Sequence, residues 1–278
     1  VHQYRFAATE SVEKDKAPKA ISILLLAGIV SVFIGISLAN STKNYISDHL
    51  YVGSYLMLAI LTLIPALFLF FFKNKNEVSN YSKENIKTRS YSQFLSDPKF
   101  LQAITSASFA YVVMAFLMTA TPISMHIIHK LSLDKLGVVM QFHVLAMFLP
   151  SLVTGNLIKK FGYSKIMYVG VIFYIFTILM SFFEPSYLNY FAGLVFLGIG
   201  WNFLFVSGTS LLVTTYKPEE KFKAQGFNDL VVFSLTAVSS LSAGILISIT
   251  SWKIVNLLCI PFLILIIFSI INAQRKSK

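Results

Sequence analysis

The sequence is short of charge, and shortest of acids. Twelve Asp and Glu stand against 23 Lys and Arg, and charged residues make up 13% of the chain. A soluble domain carries roughly 25% charged residues to wet its surface, so a soluble globular protein is excluded. Cysteine occurs once, as Cys259 in an apolar run, which excludes an intramolecular disulfide and reads as a small packing side chain. No glycine loop followed by Lys and Ser is present, which removes ATP as the energy source. No His and carboxylate spacing suits a metal, no nucleophile lies beside a base, and no cofactor is implied. A membrane-embedded enzyme needs acids, histidines or cysteines gathered at one depth, and the sequence has no such gathering.

What the chain has is long apolar runs. Hydrophobic residues make up 56% of it, in stretches near 19–39, 51–72, 100–126, 136–157, 165–183, 187–216, 224–250 and 253–273. About 20 apolar residues at 1.5 Å each cross roughly 30 Å of hydrocarbon. Barrel strands alternate apolar and polar over about 10 residues, whereas these runs are apolar on every face. The fold class is therefore all-α, a polytopic membrane bundle of eight spans. Ser96-Asp97-Pro98 offers a cap and a proline for a helix start. Pro65, Pro122, Pro150 and Pro261 fall inside spans and predict kinks. The opening, VHQYRFAATESV, reads as the end of a helix, and the chain is expected to be a fragment or a truncated gene product.

The net charge of +11 does not indicate nucleic acid, because the cations are scattered through short loops and not gathered on one face. Nineteen of the 23 Lys and Arg fall in one alternating set of loops: the amino-terminal segment, 73–99, 158–165, 217–223 and the tail. By the positive-inside rule that set is cytoplasmic. The polar stretch 73–98 reads as a flexible linker. The expected division is 1–72 (two spans), 73–99 (linker) and 100–278 (six spans). The six split into two triplets, and since three is odd the second enters from the opposite side, which is an inverted repeat.

Between the second and third spans after the linker lies Gly155-Asn156-Leu157-Ile158-Lys159-Lys160-Phe161-Gly162. The chain here resembles the major facilitator superfamily, whose loop motif is G-x-L-x-D-R-x-G-R/K-x-x. Gly155, Leu157, Lys160 and Gly162 match it, and Lys159 stands where the motif has its acid. LGIGWNFLFVSGTSLL followed by EEKFKAQGFNDLVVFS is similar to the family's tenth and eleventh helices. YRFAATESVEKDKAPKAIS is similar to the turn between its fourth and fifth. The family's antiporters carry G-x-x-x-G-P-x-x-G-G in the fifth helix, and LLAGIVSVFIGISLA lacks that proline and the final glycine pair.

The resemblance implies helices five to twelve of a bacterial secondary transporter of the inner membrane, with linker and carboxyl terminus cytoplasmic. It implies a small solute moved by alternating access, with protons as a candidate coupling ion. The rival readings are a non-transporting relic and a membrane receptor. Candidate binding or coupling residues are the polar and aromatic side chains inside spans. Asp229 is an acid some way into a span, where an ionisable group is costly. His143 shares a stripe with Met147, Pro150 and Thr154 and is a candidate to face the cavity. Tyr111, with Ser108, and Asn202 and Trp201 complete the set.

Overall fold

A computed structural model describes residues 4–46, 51–70 and 88–276. Of the linker expected over 73–99, residues 73–87 lie outside the described residues. The chain separates into two compact units: Val1–Ile29 with Thr88–Lys278, and Val30–Lys87. Among the described residues all regular structure is helical, and seven helices are long and apolar enough to cross a membrane, with Val52–Phe68 a shorter eighth. Each coincides with a run read from the sequence.

The elements in order are α1 (Tyr4–Glu10), α2 (Ala17–Thr42), α3 (Val52–Phe70), α4 (Tyr91–Ser96), α5 (Pro98–Pro122), α6 (Leu133–Phe148), α7 (Ser151–Phe161), α8 (Tyr163–Met180), α9 (Tyr187–Val213), α10 (Lys221–Ile249), α11 (Trp252–Leu257) and α12 (Ile260–Arg275). Three of the four prolines sit at breaks, as expected, while Pro65 lies within the unbroken α3. Pro150 separates α6 from α7, a π-helical segment Ile123–Ile128 follows Pro122, and Pro261 sits in the first turn of α12, just past the break after α11. Asp97 caps α5 by accepting from the Lys99 and Phe100 amides at 2.9 and 3.3 Å, with Pro98 in the first turn.

In the larger unit α9 is the central helix. It packs on α5, α6, α7 and α8, and α5 also packs on α10 and α12. Small residues make this possible. A Cβ on Gly198 would lie 2.6 Å from the His143 carbonyl oxygen of α6, and one on Gly208 would lie 2.8 Å from that of Ala103 on α5. Hydroxyls then fasten the helices: Ser106 Oγ donates to Leu204 O at 2.9 Å, Tyr174 Oη to Ala110 O at 2.7 Å and Ser239 Oγ to Val112 O at 2.8 Å. The outward face reverses the soluble pattern, with Leu241 77% and Phe268 65% exposed. Hydrocarbon solvates such a face at no cost, while the polar atoms find partners inside.

Residues 88–96, read from sequence as part of a flexible linker, are instead pinned. Arg89 donates from Nε to Glu220 Oε1 at 3.0 Å and from Nη2 to Glu220 Oε2 at 2.8 Å, and it also bonds Thr215 O at 2.7 Å. These bonds to Glu220 hold the Arg89 guanidinium above its ordinary pKa range. Glu220 is only 3% exposed, so the loop before α10 buries a carboxylate. A buried charge survives because it is paired and hydrogen-bonded. In the smaller unit, Ser54 Oγ of α3 donates to Ala39 O of α2 at 2.7 Å.

Candidate functional site

The larger unit holds a buried cluster where α1, α5, α9 and α10 meet. Its charged members are Arg5 of α1 and Asp229 of α10, 3% and 9% exposed, joined as a salt bridge from Nη2 to Oδ1. Asn228 Nδ2 also donates to Asp229 Oδ1 at 3.0 Å. The Arg5 guanidinium lies over two rings, 4.6 Å from the Phe6 centroid and 5.0 Å from that of Phe205. Ring faces carry negative potential, so they supply part of the charge compensation that burial demands.

Behind Arg5 the aromatic rings form a platform. Phe205 and Trp201, one helical turn apart on α9, stack with centroids 4.9 Å apart and planes 15° apart. Tyr111 of α5 meets both edge-on, at 5.0 and 5.2 Å, and Phe148 approaches Trp201 at 6.1 Å. Stacked and edge-to-face pairs at these separations are favourable beyond their burial. Polar groups near the platform are unspent: Trp201 Nε1 and the hydroxyl of Ser108, one turn before Tyr111, as well as Arg5 Nε and Nη1, have no hydrogen-bond partner among the described residues. A buried polar atom without a partner calls for an explanation, and a ligand's acceptor is one.

Of the five membrane candidates, then, Tyr111, Trp201 and Asp229 converge. Asn202 and His143 do not. Asn202 donates to Met147 O and Ser151 Oγ and accepts from Thr154 Oγ1, each at 2.7 Å. Its amide closes the gap at the Pro150 break and fastens α9 to α6 and α7. His143 is fully buried, and its Nδ1 donates to Leu194 O of α9 at 2.8 Å. The stripe His143, Met147, Thr154 thus packs against α9. A small-polar stripe marks a helix contact as readily as a cavity wall, and here the contact took it.

The loop motif is more helical than its glycines suggested. α7 runs through Gly155 and Leu157 to Phe161, and the turn is a single residue, Gly162, at φ +84°. That backbone conformation favours glycine. Gly155 faces the start of α2, where a Cβ would lie 2.9 Å from Lys19 Cα. Leu157 is half-buried and Lys160 is exposed. Lys159, standing where the motif has an acid, reaches Asp15 at 4.0 Å, with both side chains largely exposed. At this exposure the pair contributes little.

Sequence reasoning missed Arg5, Phe205 and the Arg89–Glu220 pair. The available signal for Arg5 was Asp229 itself, since a carboxylate inside a span needs a cation. The cation lies 224 residues away, so only the family's helix order connects them.

A bundle of helices long and apolar enough to cross a membrane, with its polar groups turned inward, defines a polytopic membrane protein. A family model described as Major Facilitator Superfamily matches residues 6–187 and again 107–277. The chain belongs to this superfamily and is a multi-pass membrane protein, not an enzyme.

Among its relatives is the riboflavin transporter RfnT of Brucella anthropi, 34% identical over 271 residues, covering 98% of this chain and 68% of that protein. The uncharacterized MFS-type transporter YddS of Bacillus subtilis is 26% identical, over 92% of this chain and 62% of the relative. A crystal structure of a bacterial homologue of the iron transporter ferroportin in the outward-facing state shares the fold, with a TM-score of 0.65 and 14% identity. It matches 98% of this chain, which covers 66% of that one. The chain spans about two thirds of the length of these relatives.

Proposed function

We propose that this chain supplies most of a secondary transporter for a planar, aromatic small solute of the flavin kind, worked by alternating access. The observation that carries the reading is the Trp201–Phe205–Tyr111 platform with its unspent Trp201 Nε1 and Ser108 Oγ. Small-molecule sites are mostly apolar and aromatic, with a few polar groups that fix orientation. A flavin ring offers a flat face for stacking and acceptors at its edge, and a relative at 34% identity is a riboflavin transporter.

In this reading Arg5 is a latch. It bonds Asp229 and covers the Phe205 face, closing the platform from the cytoplasmic end. Loss of the Asp229 charge would release Arg5, which makes Asp229 the coupling residue in this reading. The two spans before the linker belong to the other bundle, and the membrane is the bacterial inner membrane, with the Lys- and Arg-rich loops inside. His143 supports α6 against α9 and stays outside the solute path.

Uptake of labelled riboflavin by cells expressing the open reading frame that encodes this chain tests the proposal. Uptake above that of empty-vector cells, competed by unlabelled flavin and lost in Trp201→Leu, is expected. No uptake across flavins, with uptake of an unrelated solute, would refute the substrate class.

A further inference from the structure

A cavity of about 850 Å³ opens beside the amino end of α5, the Gly162 turn and the carboxyl ends of α9 and α12. It lies apart from the aromatic platform. Among the described residues three cations line it, Lys99, Lys165 and Arg275, and no Asp or Glu does. Among the described residues none of the three forms an ion pair. Asp97, two residues from Lys99, is instead paired with Arg89.

The hollow is built before any ligand arrives. Gln102 Nε2 donates to Ser164 Oγ at 2.9 Å, tying α5 to α8. Tyr168 Oη donates to Gln274 Oε1 at 3.4 Å, tying α8 to α12. No side chain caps α8, whose first turn borders the cavity and adds the positive end of its dipole. Alongside this charge the lining is apolar at Leu211, Phe161 and Ile271. From Ile271 the exposed face of α12 continues through Phe268 and Ile264 into the hydrocarbon.

We propose that this cavity is a binding site for an anionic phospholipid. Its phosphodiester headgroup lies among Lys99, Lys165 and Arg275, and its acyl chains run down the α12 face. Free phosphate would satisfy the cations and leave the apolar wall unexplained. A zwitterionic lipid would satisfy the wall and bring no net charge to three cations. Basic pockets between helices on the cytoplasmic side suit anionic headgroups, at about a factor of five in affinity per cation. The charge bias of the loops puts this end in that leaflet, although binding in detergent does not depend on that orientation.

The test is native mass spectrometry of the purified chain in detergent, titrated with phosphatidylglycerol, with phosphatidylcholine and with inorganic phosphate as competitor. Phosphatidylglycerol should bind one per chain and selectively. K99Q/K165Q/R275Q should weaken it on the order of a hundredfold. The matched triple K14Q/K16Q/K159Q, outside the cavity, should stay within about twofold, and the charge-keeping K99R/K165R/R275K should retain binding. If the first triple is not recovered folded, K165Q alone should weaken binding about fivefold. Equal loss in both triples would assign the effect to general surface charge and overturn the site. Equal binding of phosphatidylcholine, or displacement by phosphate at comparable concentration, would overturn the lipid assignment.

Discussion

Replacing Asp229 with Asn keeps the shape of the side chain and removes the charge opposite Arg5. The two residues are 9% and 3% exposed, and Arg5 Nε and Nη1 have no partner among the described residues. Leaving one member of a buried pair uncompensated costs about 3–5 kcal/mol. The Phe6 and Phe205 rings, at 4.6 and 5.0 Å, remain and offset about 1–2 kcal/mol. About 1–4 kcal/mol is left, enough to shift the population in which Arg5 has swung out by roughly fivefold to several hundredfold. Thr9, one turn further along α1 and 3% exposed, reports on that movement. In a Thr9→Cys background, Asp229→Asn should raise the rate of labelling by an impermeant maleimide in inside-out vesicles by about that factor. Arg5→Met with Asp229→Leu removes both charges and should return labelling toward the parent rate, since an apolar pair of similar volume replaces a buried ion pair at little cost. A rate within twofold of the parent in Asp229→Asn would show that the pair is not a latch.

Other substitutions test neighbouring parts of the account. Asn202→Leu strips partners from Met147 O, Ser151 and Thr154 and should cost roughly 1–3 kcal/mol, read as a lower thermal midpoint in detergent with flavin binding unchanged. An unchanged midpoint would remove its fastening role. Gly155→Leu forces a side chain against the Lys19 backbone and should destabilise by about 1–3 kcal/mol, seen as reduced folded yield. Glu220→Gln loosens Arg89, and trypsin should then cut after Arg89 about tenfold faster. Cysteines at Ser132 and Ser164 should label from outside and from inside respectively, and the reverse pattern would invert the proposed orientation.

The eight spans were legible because run length is a one-dimensional signal that the bilayer enforces. Local chemistry was legible too: Asp97 caps, Pro150 breaks and Gly162 turns as their residue types require. Side-chain direction was not. His143 and Asn202 carry the same polarity whether they line a cavity or fasten helices, and the choice depended on glycines of the partner helix, such as Gly198 opposite α6. Arg5 and Glu220 looked like loop charges because their burial is set by residues more than a hundred positions away.

The central claim is that the α5–α9 platform receives a planar ring, and flavin fluorescence tests it directly, because stacking on an indole quenches it. Titrating riboflavin with the purified chain should give saturable quenching, tighter in Asp229→Asn, where Arg5 no longer covers Phe205. Trp201→Leu should weaken it about tenfold, the loss expected for one good aromatic stack. Saturable quenching that survives Trp201→Leu unchanged, or no saturable quenching at all, would contradict the account.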